Sequence, residues 1–72
     1  MKLEENDRGP WPCCIGLTGE DCKLHVEAVA PELAGKVYII HPGDMYTQEI
    51  RDDRVRIFVN ENGIVFREPK RG

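Results

Sequence analysis

Long apolar runs are missing from this sequence, and with them any segment able to span a bilayer. The opening Met1-Lys2-Leu3-Glu4-Glu5-Asn6-Asp7 lacks the apolar stretch of a secretory leader. The chain is therefore expected in the cytosol, or outside the cell after a leader has been removed. A cationic excess is missing too. Lys and Arg number 10 against 13 Asp and Glu, for a net charge of -3. No general attraction to nucleic acid or to an anionic membrane is expected from that balance. Cysteine is sparse and odd in number: Cys13, Cys14 and Cys22. Three thiols cannot all pair within one chain, so the sequence does not read as a disulfide scaffold. At least one thiol is left free, mixed or intermolecular. Internal repeats and low-complexity tracts are absent as well.

What is present is an ordinary globular composition, 40% hydrophobic and 32% charged over 72 residues. That length allows one domain and one small core. Residues 1–10 read as a loose polar arm and 11–72 as the folded domain, with Trp11 expected over the edge of the core. Thr18-Gly19-Glu20-Asp21 predicts a helix start, with a hydroxyl to cap a free N–H and acidic residues at the positive end of the dipole. Cys22, Val26, Val29 and Leu33 fall on one helical face, and Pro31 ends the run, so the helix is predicted over Gly19–Ala30. Lys36-Val37-Tyr38-Ile39-Ile40 predicts a buried strand. Arg54 to Asn60 alternates with period two and predicts a second strand. Glu61-Asn62-Gly63 is a turn signal, Ile64-Val65-Phe66 a short third strand, and Pro69 its stop.

Between the first two strands lies a long connection, from His41 through Asp52. Such a length in so small a domain is usually functional or disordered. This one holds Met45, Tyr46 and Ile50, which a flexible linker has little use for. Arg54 and Arg56 are two apart on a strand, so they project from one face, and that face can lie beneath the preceding loop. Thr47 and Glu49 can accept hydrogen bonds from guanidinium groups. Two arginines beneath them would hold the backbone extended on both sides of Gln48. The plainer alternative is a solvated strand face with ordinary loop residues above it, and Met45 and Tyr46 can also be read as satellite core.

Trp11-Pro12, Gly16, Thr18, Pro42-Gly43, Thr47, the run Asp53-Arg54-Val55-Arg56-Ile57-Phe58-Val59 and Gly72 together resemble the potato inhibitor I family of serine protease inhibitors. The resemblance covers Trp11 to Gly72. It implies an α+β fold, one α-helix packed on a small mixed β-sheet, with a long protease-binding loop exposed at one end. It also implies a reactive bond between Gln48 and Glu49, with Arg54 and Arg56 as loop supports. Gly43, Asp44, Met45, Tyr46, Thr47, Ile50 and Arg51 match the protease-binding loop around that bond. The implied partner is a serine protease, and the chain itself needs no catalytic residue, metal or cofactor.

Gln48 would be the primary specificity residue. It suits trypsin poorly, because the acid in that pocket would lack a cation. It suits a chymotrypsin slot moderately, since a buried amide needs partners. A subtilisin-like enzyme is favoured, with apolar Met45 three residues upstream. Two departures stand out. Many members with cysteine bridge the N-terminal arm to the position that Asp52 occupies here, and Tyr46 replaces a small apolar residue.

The thiols admit two readings. Cys22 and Cys14 are expected in the core, with Cys13 exposed and able to link two chains of an otherwise monomeric protein. The sharper alternative is a zinc site from Cys13, Cys14, Cys22 and His25, on a non-inhibitory interaction module with the same scaffold. Adjacent cysteines and the lack of a Cys-x-x-Cys pair argue against it.

Overall fold

The computed structural model describes residues 8–47 and 49–72. Helix α1 spans Gly19–Val29, with Ala30 as its C-cap. The Thr18 hydroxyl accepts from the Asp21 amide at 3.1 Å, and Glu20 and Asp21 lie in the first turn. A side-chain cap of this kind stabilises a helix by about 1 kcal/mol. Gly19 is buried at the point where the helix meets the sheet. A Cβ there would sit 3.0 Å from Ile39 Cγ2 and 3.1 Å from Val59 Cγ1. Cys22 and Val26 are buried as the periodicity requires. Leu33 is buried too, but from the short 3-10 turn Pro31–Leu33 that follows the proline, not from the helix.

The sheet holds β1 (Val37–Ile40), β2 (Val55–Phe58) and β3 (Lys70–Arg71), in that order. The β1–β2 pair is parallel, with Val37 opposite Val55 and Ile40 opposite Phe58. The β2–β3 pair is antiparallel, with Val55 opposite Arg71 and Arg56 opposite Lys70. A parallel pair cannot be closed by a tight turn and needs a crossover of about a dozen residues or more. Residues 41–54 are that crossover, so the length of the loop follows from the topology.

Helix α1 packs on β1 and β2. Val37, Val55, Ile57 and Val59 turn toward it, joined by Trp11, Cys14, Ala30, Leu33 and Val65 in one core. Burying a Val, Leu or Ile side chain fully contributes about 1.5–3 kcal/mol, so these few residues carry most of the driving force. Trp11 lies wholly inside rather than at the edge. Its amide donates to the Pro69 carbonyl at 2.9 Å, and Gly9 lies against its ring. Of the residues read as an arm, 1–7 are outside the described residues.

The predicted third strand, Ile64–Phe66, is replaced by two isolated bridges, Thr18 with Ile64 and Val59 with Val65. The Val65 amide donates to the Leu17 carbonyl at 2.8 Å, and the Val65 carbonyl accepts from Gly16 at 2.9 Å. Ile64–Phe66 thus lies between the segment before the helix and the end of β2, where the Phe66 amide donates to the Phe58 carbonyl at 3.4 Å, and the start of β2 pairs with the residues beyond Pro69. A proline immediately before a strand costs that ladder nothing.

Candidate functional site

Strand β2 has two faces because successive side chains alternate. Opposite the core, it presents Arg56 and Phe58, with Arg54 immediately before it, each part-buried. The loop runs over this face. It starts with a tight turn, His41-Pro42-Gly43-Asp44, closed by the Asp44 amide to the His41 carbonyl at 3.0 Å. Proline followed by a glycine at φ +86° is the requirement of a type II turn. The Asp44 carboxylate accepts the His41 amide at 2.8 Å and finishes the corner.

Beyond the turn the described residues 45–47 and 49–51 form no helix or strand, and two guanidinium groups hold them. Arg56 donates to the Thr47 carbonyl and to the Thr47 hydroxyl, both at 2.6 Å. Arg54 donates to the Glu49 carbonyl at 2.8 Å and to the Glu49 carboxylate at 3.1 Å. The Thr47 hydroxyl in turn donates to the Glu49 carboxylate at 3.2 Å. The result is a closed relay from Arg56 through Thr47 and Glu49 to Arg54. Both main-chain carbonyls flanking position 48 are fixed by charged donors. Gln48 itself lies outside the described residues.

The relay shows in the charge of Glu49. The Arg54 hydrogen bond, then the Thr47 hydrogen bond, hold its carboxyl below the ordinary glutamate range. Arg54 is itself braced from behind. Its Nε donates to the Gly72 carbonyl at 3.0 Å, and the Gly72 amide donates to the Arg54 carbonyl at 2.9 Å. Only 12% of the Arg54 side chain is exposed. Hydrogen bonds from a charged donor contribute about 1.5–3 kcal/mol, against about 0–1 kcal/mol for an exposed ion pair. The grip on the two carbonyls therefore matters more than the ion pair to Glu49.

The other loop residues divide into two groups. Tyr46 is folded back onto the support face. Its ring meets Phe58 edge-on at 5.2 Å between centroids, and the Arg56 guanidinium lies 5.2 Å from the Tyr46 centroid. Arg67 covers Phe58 from elsewhere at 4.2 Å. Met45 and Ile50 point outward, at 96% and 86% exposure. Arg51 turns down to the Asp53 carboxylate through two bonds of 3.1 Å, which lowers the Asp53 pKa and raises that of Arg51.

One contributor had no signal in the sequence reading. Arg71 donates to the carbonyl of Asp52, the root of the loop, at 2.8 Å. Its neighbour Lys70 gave no hint that a strand follows Pro69. A period-two pattern needs more than the two residues that β3 provides.

The thiols belong to the core side of the sheet, Cys14 and Cys22 within the cluster of Val55 and Ile57 and Cys13 packed against it. Cys14 and Cys22 are buried, and their mutual hydrogen bond, then burial, raises the Cys14 pKa. Cys13 is part-buried, with its Sγ 3.5 Å from His25 Nε2. Among the described residues no group of three or more His, Cys, Asp or Glu is placed to hold a metal ion.

A small body that displays an exposed loop, tethered on both sides of a single residue, defines a class of protein that presents a ready-made ligand to its partner. The comparisons name the family. Residues 4–72 match the potato inhibitor I family. The Glu S. griseus protease inhibitor of Momordica charantia is 39% identical over 62 residues, covering 86% of this chain and 88% of that protein. The subtilisin inhibitor CLSI-I of Canavalia lineata is 32% identical over 60 residues, covering 82% and 86%. The crystal structure of bitter gourd trypsin inhibitor superposes with a TM-score of 0.82 at 37% identity, covering 93% of this chain and 96% of that one. The chain belongs to the potato inhibitor I family and is a serine protease inhibitor.

Proposed function

We propose that inhibition works through residues 43–51 as a substrate-like loop, with Gln48–Glu49 as the reactive bond. The observation that carries this reading is the pair of grips on the Thr47 and Glu49 carbonyls, at 2.6 and 2.8 Å. Fixing one residue's backbone costs about 1–2 kcal/mol. A loop held extended beforehand has met that cost in folding and binds a protease cleft more tightly for it. The enzyme's serine can attack the Gln48 carbonyl, and the oxyanion hole and triad are the enzyme's own. Cleavage frees the amine of Glu49. Arg54 keeps that residue against β2, while Arg56 keeps Thr47 on the other side of the cut. The amine stays beside the acyl-enzyme, so religation competes with hydrolysis. No catalytic residue of the inhibitor is needed, and one chain with one loop is the working unit.

The target follows from the chemistry of the side chains at and before the proposed reactive bond. Met45 is open to an apolar subsite. Gln48 offers a neutral amide, which leaves the acid of a trypsin pocket without a cation. A subtilisin-like enzyme is the favoured target, with a chymotrypsin-like enzyme next. The relatives are named for a Glu-specific enzyme, for subtilisin and for trypsin, so the scaffold leaves the choice to the loop. The test is a panel of subtilisin, chymotrypsin and trypsin titrated with the reduced protein, with mass analysis of the same samples. Tight inhibition of subtilisin with slow, incomplete cutting after Gln48 is expected. Strong trypsin inhibition beside weak subtilisin inhibition would sink the target assignment, and fast complete cutting would sink the loop mechanism.

A further inference from the structure

A third arginine stands behind the loop, on the strand after Pro69. Arg71 lies opposite Val55 in the antiparallel pair, one residue from the Gly72 that braces Arg54. Its guanidinium is mostly covered, with 22% of the side chain exposed. It donates to the Asp52 carbonyl at 2.8 Å, to the Glu32 carboxylate at 2.8 Å and to the Arg8 carbonyl at 3.2 Å. These acceptors come from three separate segments: the leg leaving the loop, the 3-10 turn after the helix, and the chain before Trp11. A planar fork of five N–H donors can serve three such acceptors at once, and a lysine ammonium cannot reproduce that geometry.

We propose that Arg71 is a positioning residue of the inhibitory loop, fixing the root of its departing leg at Asp52 to the body of the domain through Glu32 and Arg8. This rests on the reading of Gln48–Glu49 as the reactive bond. A cut there leaves residues 49–72 as a separate chain. Arg71 and Asp52 belong to that piece, Glu32 and Arg8 to the other. The guanidinium therefore does two things. It stiffens the leg three residues from Glu49, and it bonds the two pieces together across the cut. Both keep the Glu49 amine where religation needs it.

The test compares the parent with Arg71→Lys, Arg71→Ala and Glu32→Gln. Two readouts are taken: the rate of cutting by subtilisin, and amide hydrogen exchange of the free proteins. Arg71→Ala is expected to be cut about tenfold faster, the equivalent of one charge-assisted hydrogen bond. Arg71→Lys is expected between Arg71→Ala and the parent. Exchange should rise at residues 50–53 and stay unchanged in α1 and β2. A uniform rise across α1 and β2 would assign Arg71 to fold stability alone and overturn the proposal. So would parent-like cutting of Arg71→Ala by an enzyme that the parent inhibits, which leaves the reading of the loop intact. A parent that is cut fast and completely overturns both.

Discussion

Strand β2 is held in two different ways on its two faces. Toward the helix, Val55, Ile57 and Val59 are wholly buried, and what holds them is apolar area removed from water, which has no direction. Toward the loop, Arg54, Arg56 and Phe58 are part-buried, and what holds the loop to them is a handful of directed bonds. The first kind of interaction stabilises a fold and tolerates exchange of like for like. The second fixes particular atoms, here the two carbonyls around position 48. On the proposed reading of the loop, one strand thus separates stability from inhibition.

The largest expected effect is on the core face. Ile57→Ala should lower stability by about 2–5 kcal/mol, read by urea unfolding, because the small core cannot collapse around the lost side chain. Inhibition measured well below the new Tm should stay close to the parent's. Arg56→Ala should do the reverse. It removes both bonds to Thr47 and is expected to weaken inhibition by about ten- to a hundredfold, while stability falls by less than in Ile57→Ala. Equal loss of both properties in either variant would break the separation.

Acidity sharpens the same contrast. Arg54 and Thr47 depress the Glu49 pKa, and Arg71 depresses that of Glu32. A carboxyl with a depressed folded pKa contributes stability above its ordinary value of 4.5, and that contribution is lost as pH falls through the folded value. Loop cutting by an acid-tolerant protease should therefore accelerate as pH drops below that range. Glu49→Gln should remove most of the acceleration, and an unchanged pH profile in that variant would count against the relay. The smallest effect is expected at Lys36→Ala, whose 3.8 Å contact with Asp53 is half exposed. Such a pair contributes about 0–1 kcal/mol, and calorimetry should register no more than that.

The same division explains what was legible in the sequence. The core face announced itself through periodicity: Cys22 and Val26 on the helix, Val55, Ile57 and Val59 on the strand. The shared face of Arg54 and Arg56 followed from period two, the acceptors Thr47 and Glu49 above them from their chemistry, and the resemblance added the expected reactive bond. Other features depended on distant segments that no local pattern reports. Ile64–Phe66 has strand-like residues, but Leu17 and Gly16 take the backbone bonds of Val65. Trp11 looked peripheral because the residue that accepts its amide, Pro69, is at the far end of the chain. Arg71 drew no reading at all, because its acceptors lie at residues 8, 32 and 52. Leu33 kept its place in the core although Pro31 had ended the helix, since a 3-10 turn sends it inward to the same side.

That the tethers keep both sides of the proposed reactive bond in place is best tested from the cut side. The two-chain form, split between Gln48 and Glu49, would be isolated and incubated with a trace of subtilisin while the intact chain is followed by mass spectrometry. Re-formation of the peptide bond, until mixtures started from cut and from intact protein reach the same ratio, is the expected result. A two-chain form that stays cut under an active enzyme would show that the tethers do not hold the cut ends together.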